Sequence, residues 1–158
     1  MFLHSEGFPV HLTMYTDYAL RTLIYLATHP EGSTVAEIAG AYGVSRNHLV
    51  KVVHNLGKTG YIHTTKGRSG GISLAKPAAS IRLHDVVLDM EPHMEWVECF
   101  GERPTCPITP ACKLRKVLRQ AGDAFMDVLA EYTLADVAAN ARQLNTLLGT
   151  RVAARPRA

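Results

Sequence analysis

The sequence predicts a mainly α-helical chain with one small β-hairpin, built as a compact head followed by a long helix. Three features predict it. Successive short segments carry apolar residues at helical spacing, a glycine-rich turn then separates two β-prone triplets, and further on an apolar stripe runs for about two and a half heptads. With 158 residues, 47% of them hydrophobic, the chain can bury a core, and wholesale disorder is excluded. No apolar run approaches the roughly 18 residues of a membrane span. No basic stretch followed by a long apolar one marks secretion, so the expected location is the cytoplasm.

Residues 1–10 show no periodicity and read as a leader. The first helix is expected to start near Thr16, with Leu20, Leu23, Ile24 and Ala27 on one side, and to stop at His29-Pro30. After the turn Glu31-Gly32-Ser33, Thr34 and Glu37 form a capping-box pattern for a short second helix bearing Ile38, Ala39 and Tyr42. Gly43 breaks that helix and Ser45 suits the N-cap of a third, whose apolar side is Leu49, Val52, Val53 and Leu56 and which Gly57 and Gly60 close. A short helix, a glycine-containing turn and a helix with a polar first turn are the pattern of a helix-turn-helix. The β-prone Tyr61–Thr65, the turn Lys66–Gly71 and Ile72-Ser73-Leu74 then read as a hairpin, a wing whose tip can approach phosphate closely.

Charge supports that reading. From Thr34 to Lys76 there are six basic residues against Glu37 alone, a net of +5, whereas residues 77–150 hold 7 basic and 10 acidic ones, a net of −3. A basic head on an acidic body suits a polyanion partner, here double-stranded DNA. The expected DNA contacts are Ser45, Arg46, Asn47, His48 and Lys51 on the third helix, and Lys66, Arg68 and Gly70 in the wing.

Beyond Ile81-Arg82-Leu83 a short helical run spans Asp85 to Met90, and Glu91 to Pro107 is a loop. Thr109-Pro110 reads as N-cap and N1 of a long helix striped by Leu114, Val117, Leu118, Ala121, Phe125, Val128 and Leu129. The head is too small to cover that stripe, so a second copy of the chain is the expected partner. Thr133 caps a last helix through Val137, Leu144, Leu147 and Leu148, and the arginine-bearing tail reads as disordered. The expected organisation is thus a leader over 1–10, a winged helix-turn-helix over 11–78, a connecting helix and cysteine loop over 79–108, a dimerisation helix and terminal helix over 109–149, and a basic tail over 150–158.

The three cysteines, Cys99, Cys106 and Cys112, are spaced C-x6-C-x5-C. An odd number argues against a disulfide framework, and the spacing does not match the paired cysteines of structural zinc sites. Iron–sulfur clusters are often held by cysteines of one loop with a further ligand from elsewhere. Cys112 near a helix start favours thiolate. His93, Glu98 and Glu102 are the nearby candidates for a fourth ligand and Asp17 a remote one, with a dipole-stabilising first-turn carboxylate as the alternative role for Asp17. An oxygen or nitrogen ligand leaves one labile corner, which suits a sensor. A zinc site or a thiol redox sensor stays open, as does an electron carrier. No nucleotide loop, catalytic metal motif or nucleophile–base spacing points to an enzyme.

Residues 12–21 (Leu12-Thr13 through Asp17-Tyr18-Ala19-Leu20-Arg21), Tyr42–Val52, Gly67–Leu74 and Asp85-Val86-Val87 together resemble the Rrf-two family of bacterial winged-helix regulators. Cys106–Leu114 and Tyr132–Val137 are most similar to its nitric-oxide-sensing, NsrR-like branch. The resemblance implies a homodimeric repressor joined by the long helix and bound to an inverted-repeat operator of nitric-oxide detoxification genes. It implies a 4Fe-4S or 2Fe-2S cluster on Cys99, Cys106 and Cys112, completed by Asp17 of the other subunit, with nitric oxide as the signal. The IscR-like branch has a histidine three residues beyond the last cysteine, where this chain has Arg115. Cluster status or thiol oxidation is the alternative signal. Relatives begin with methionine just before the segment His11-Leu12-Thr13; Val10 stands there, so residues 1–9 read as a dispensable leader or a mis-assigned start.

Overall fold

A computed structural model describes residues 11–67, 70–92 and 97–149. The leader, the basic tail, Arg68 and His93 lie outside them. Seven helices and one hairpin follow in order among the described residues: α1 Met14–Thr28, α2 Val35–Tyr42, α3 Arg46–Lys58, β1 Ile62–Thr64, β2 Ile72–Leu74, α4 Leu83–Met90, α5 Lys113–Ala130, α6 Leu134–Val137 and α7 Ala141–Gly149. The class is as expected, mainly α with a small wing.

Each head element forms for a local reason. The Thr13 side chain accepts from the Thr16 amide and starts α1 at Met14, two residues earlier than the apolar spacing alone indicates. The Thr34–Glu37 capping box is present at α2, and Gly43 ends that helix in the left-handed region at φ 67°. Ser45 occupies the N-cap of α3 but makes no side-chain cap bond, leaving its hydroxyl available to a partner. The strands pair antiparallel in the register Ile62 to Leu74. An isolated bridge between Ser33 and Ile72 ties the α1–α2 turn to the wing.

The core sits under α3. Leu49, Val52, Val53 and Leu56 are buried against Leu23, Tyr25 and Leu26 of α1, Ile38 of α2, and Ile62 and Ile72 of the hairpin. Val86, Met90 and Leu134 close it from below. Burying side chains of this size contributes about 1.5–3 kcal/mol each, an upper bound since unfolded chains already bury some of their surface.

Two expectations need correction. The long helix does not open at Thr109-Pro110. Thr109–Ala111 is a separate 3-10 turn, the Thr109 hydroxyl donates to the Cys106 carbonyl instead of capping, and Cys112 is extended at φ −73°, ψ 110°. Cys112 is therefore the N-cap of α5, not its third residue. The terminal helix is also two pieces. A Thr133–Asp136 capping box nucleates the four-residue α6, and α7 restarts at Ala141 with the Asn140 carbonyl accepting from Gln143 and Leu144.

Candidate nucleic-acid interface and cysteine loop

On α3 the buried residues fix which way the helix faces. With Leu49, Val52, Val53 and Leu56 turned inward, Ser45, Arg46, Asn47, His48 and Lys51 are all exposed on one side. Val50, 49% exposed, lies among them and was missed by charge-based reasoning. Lys66 and Gly67 are exposed at the wing tip. A cleft of about 330 Å³ runs between Arg46 and Val53 on one side and Thr64, Thr65, Gly67 and Gly70 on the other. Helix and wing thus frame one surface. Gly70 belongs there for steric reasons: a Cβ would stand 2.5 Å from the Thr65 carbonyl oxygen and 2.8 Å from that of Gly67.

Two tyrosines anchor this surface from behind. The Tyr42 hydroxyl donates to the Arg21 carbonyl, and burial pushes its pKa up to about 12. The Tyr61 hydroxyl donates to Asp89 at 2.7 Å, and burial followed by that carboxylate pushes it up further still.

Cys99, Cys106 and Cys112 are unbridged and half-buried. Glu98 staples their loop: its carboxylate accepts from both the amide and the hydroxyl of Thr105, which hold it below the usual carboxylate range. That bond closes the turn between Cys99 and Cys106, a role sequence reasoning did not give Glu98. Arg119 of α5 lies 5.0 Å over the Phe100 ring and fastens the loop to the helix. Glu102 is exposed. Asp17 is half-exposed and bound by Arg21, with Oδ2 2.8 Å from the guanidinium and Oδ1 3.0 Å from Nε. Three thiols on one loop are a donor set that fits an iron–sulfur group. Among the described residues no three His, Cys, Asp or Glu side chains converge on one point, so the three thiols form no preformed cage within the single chain.

On α5 no residue is buried, and Leu114, Val117 and Val128 are 62%, 59% and 55% exposed. No helix among the described residues is long and apolar enough to cross a membrane.

The family model described as Rrf2, iron-dependent transcriptional regulator, matches residues 12–140. Among solved structures, CymR of B. subtilis, the global cysteine regulator, is 26% identical with a TM-score of 0.67 over 83% of this chain and 98% of that one. Staphylococcus aureus CymR is 27% identical with a TM-score of 0.64 over 80% and 96%. T. potens IscR, 20% identical with a TM-score of 0.66 over 95% of both chains, shares the fold.

Proposed function

The chain belongs to the Rrf2 family of transcription regulators, and from that premise we propose that it is an operator-binding repressor governed by an iron–sulfur cluster that answers to nitric oxide. Rrf2 regulators bind DNA and are dimeric, and they are not enzymes. The observation that carries the finer reading is the cysteine loop: three unbridged thiols on one segment, with Cys112 at the N-cap of α5. Cys99, Cys106 and Cys112 would hold the cluster, with Asp17 of the second copy as fourth ligand. When bound, the group supplies iron with one weakly held corner, open to a small diatomic ligand. The chain's own residues do the rest. Ser45, Arg46, Asn47 and His48 present hydrogen-bonding groups to the major groove. Lys51, Lys66, Arg68 and Gly70 meet the phosphate backbone. Glu98 holds the thiol loop closed.

A second reading, thiol redox sensing without a cluster, is favoured by the CymR likeness and by the same unbridged thiols. Anaerobic purification separates the two. A brown protein whose visible chromophore bleaches with nitric oxide while operator affinity falls supports the first. A colourless protein that binds the operator, loses it on mild oxidation and regains it on reduction establishes the second.

A further inference from the structure

The groove between α3 and the wing does not end at the helix–wing cleft. A second cleft, of about 440 Å³, continues it towards the C-terminal end of α3, with His54, Gly57 and Lys58 on the helix side and His63 and Thr64 on the strand side. The two clefts share Val53 and Thr64. Asn47, Lys51, His54 and Lys58 follow at i, i+4, i+7 and i+11, so the second cleft opens on the same exposed stripe of α3 as the expected DNA contacts. His54, Lys58, His63 and Thr64 are all exposed. An imidazole carries at least one N–H donor in either protonation state, an ammonium three, and a threonine hydroxyl one more. No carboxylate lines the cleft, and the sequence holds no acidic residue between Glu37 and Asp85. Among the described residues no hydrogen bond or ion pair occupies the side chains of His54, Lys58 or His63.

Gly57 is an independent sign of a ligand. Glycine weakens a helix interior relative to alanine, and nothing in the chain itself requires it here. A Cβ at Gly57 would meet nothing within 4 Å, and its φ is not positive. Nor does it close the helix as its sequence position suggests, since α3 runs on to Lys58 and the left-handed turn comes at Gly60, at φ 76°. What the glycine leaves, between two histidines and a lysine, is open floor on which a backbone from outside the chain can lie closely.

We propose that this second cleft seats the sugar-phosphate strand of DNA that passes between α3 and the wing, with His54, Lys58 and His63 holding its phosphates over Gly57. The inference rests on the reading of α3 and the wing as the DNA surface, and deepens it by naming where the backbone lies. Shared lining residues make the cleft continuous with that surface, which favours a DNA strand over a small anion as its occupant. Contacts of this kind fix position and register and carry no base sequence, so they lengthen the footprint beyond the bases that the first turn of α3 reads.

The test compares full-length wild type with a triple variant, His54→Ala, Lys58→Ala and His63→Ala together, and with Gly57→Ala. The probe is a labelled duplex of scrambled sequence, long enough for both half-sites, titrated by fluorescence anisotropy at several salt concentrations. All three replaced side chains are exposed, so the triple variant should keep the far-ultraviolet spectrum of wild type. Its affinity should fall about tenfold, and the slope of log affinity against log salt should fall by about 0.9 for each phosphate released. Gly57→Ala should part stability from binding. As a better helix former it should melt higher than wild type, yet bind the duplex more weakly, because the added methyl takes the space of the strand. A triple variant with wild-type affinity and slope overturns the proposal, and so does a Gly57→Ala protein that binds as tightly as wild type. Lys51→Ala separates this failure from that of the reading beneath it. If Lys51→Ala weakens binding and the triple variant does not, α3 meets DNA and the second cleft is excluded from the contact. If neither weakens it, the helix–wing surface is not the DNA site at all. Calorimetry with inorganic phosphate completes the set, and a triple variant that loses phosphate binding while keeping the duplex makes the cleft a small-anion site and overturns the proposal.

Discussion

Arg46 and Lys51 are both exposed on α3, yet they offer DNA different chemistry. A guanidinium near the start of a recognition helix can grip guanine at two atoms, whereas an ammonium further along is a point charge suited to phosphate. Arg46→Ala should therefore cost about 1–3 kcal/mol of discrimination between the operator and a scrambled duplex. Lys51→Ala should weaken both duplexes alike and lower the slope of log affinity against log salt by about one. Titrations at several salt concentrations decide it, and an Arg46→Ala protein with intact preference removes Arg46 from the reading set. Gly70 makes a separate prediction. The backbone oxygens 2.5 and 2.8 Å from its absent Cβ cannot step aside as a side chain would, so Gly70→Ala should open the wing tip. DNA affinity should drop for all sequences, and proteolysis between residues 65 and 71 should quicken, while the melting temperature moves little. Which residues face outward on α3 was legible in the sequence, because four apolar positions fix the rotation of a helix. The need for Gly70 in particular was not, since nothing in a run of glycines marks the one that lacks room. The bond from the start of α1 to Glu91 was also hidden. Its donors Thr13 and Thr16 lie 78 and 75 residues away, beyond any local pattern.

Among elements, α5 shows most plainly what a stripe of apolar residues can and cannot say. The spacing predicted both the helix and its need for a cover, and within one chain the stripe indeed stays open, with Val117 and Val128 more than half exposed. Placing a charge there should not disturb the monomer's own packing. Val117→Glu and Val128→Glu should fold with unchanged helical content but, by burying a carboxylate in the dimer seam, give monomers that no longer hold an inverted repeat. Light scattering beside circular dichroism checks this, and a dimer that survives both substitutions puts the interface on another element. The start of α5 was misread for a physical reason. Thr-Pro is a favourable N-cap and N1 pair, but the Thr109 hydroxyl bonds back to Cys106, and the extended Cys112 interrupts the helix path. The same competition of local bonds split the terminal helix. The Thr133–Asp136 box satisfies one turn, and α7 needs a fresh start at Asn140.

At the scale of the whole molecule, head and cysteine loop have to meet across two copies if Asp17 completes the metal site, and the structure makes Asp17 a clean place to ask. Its partner in the single chain is Arg21, four residues along α1, and both side chains are more than two-fifths exposed. An exposed pair of this kind is worth about 0.2–1 kcal/mol, and the helix-dipole role of a first-turn carboxylate about as much. Asp17→Ala should therefore leave the fold nearly as stable as before, with a melting temperature close to wild type. Any larger consequence has to come from ligation. If Asp17 is the fourth ligand, the variant should still acquire its chromophore on Cys99, Cys106 and Cys112, whereas Cys106→Ala and Cys112→Ala should not. Its operator affinity should fall to that of cluster-free protein, a drop of about 5–150-fold. Arg21→Ala supplies the opposite control. It releases Asp17 from a bond that competes with ligation, so the holo protein should hold the operator at least as well as wild type. Should Asp17→Ala bind and release DNA as wild type does, the carboxylate is only a helix-start charge held by Arg21. Among the described acidic residues of the loop, Glu102 is then the next to substitute, because Glu98 already spends its carboxylate on Thr105.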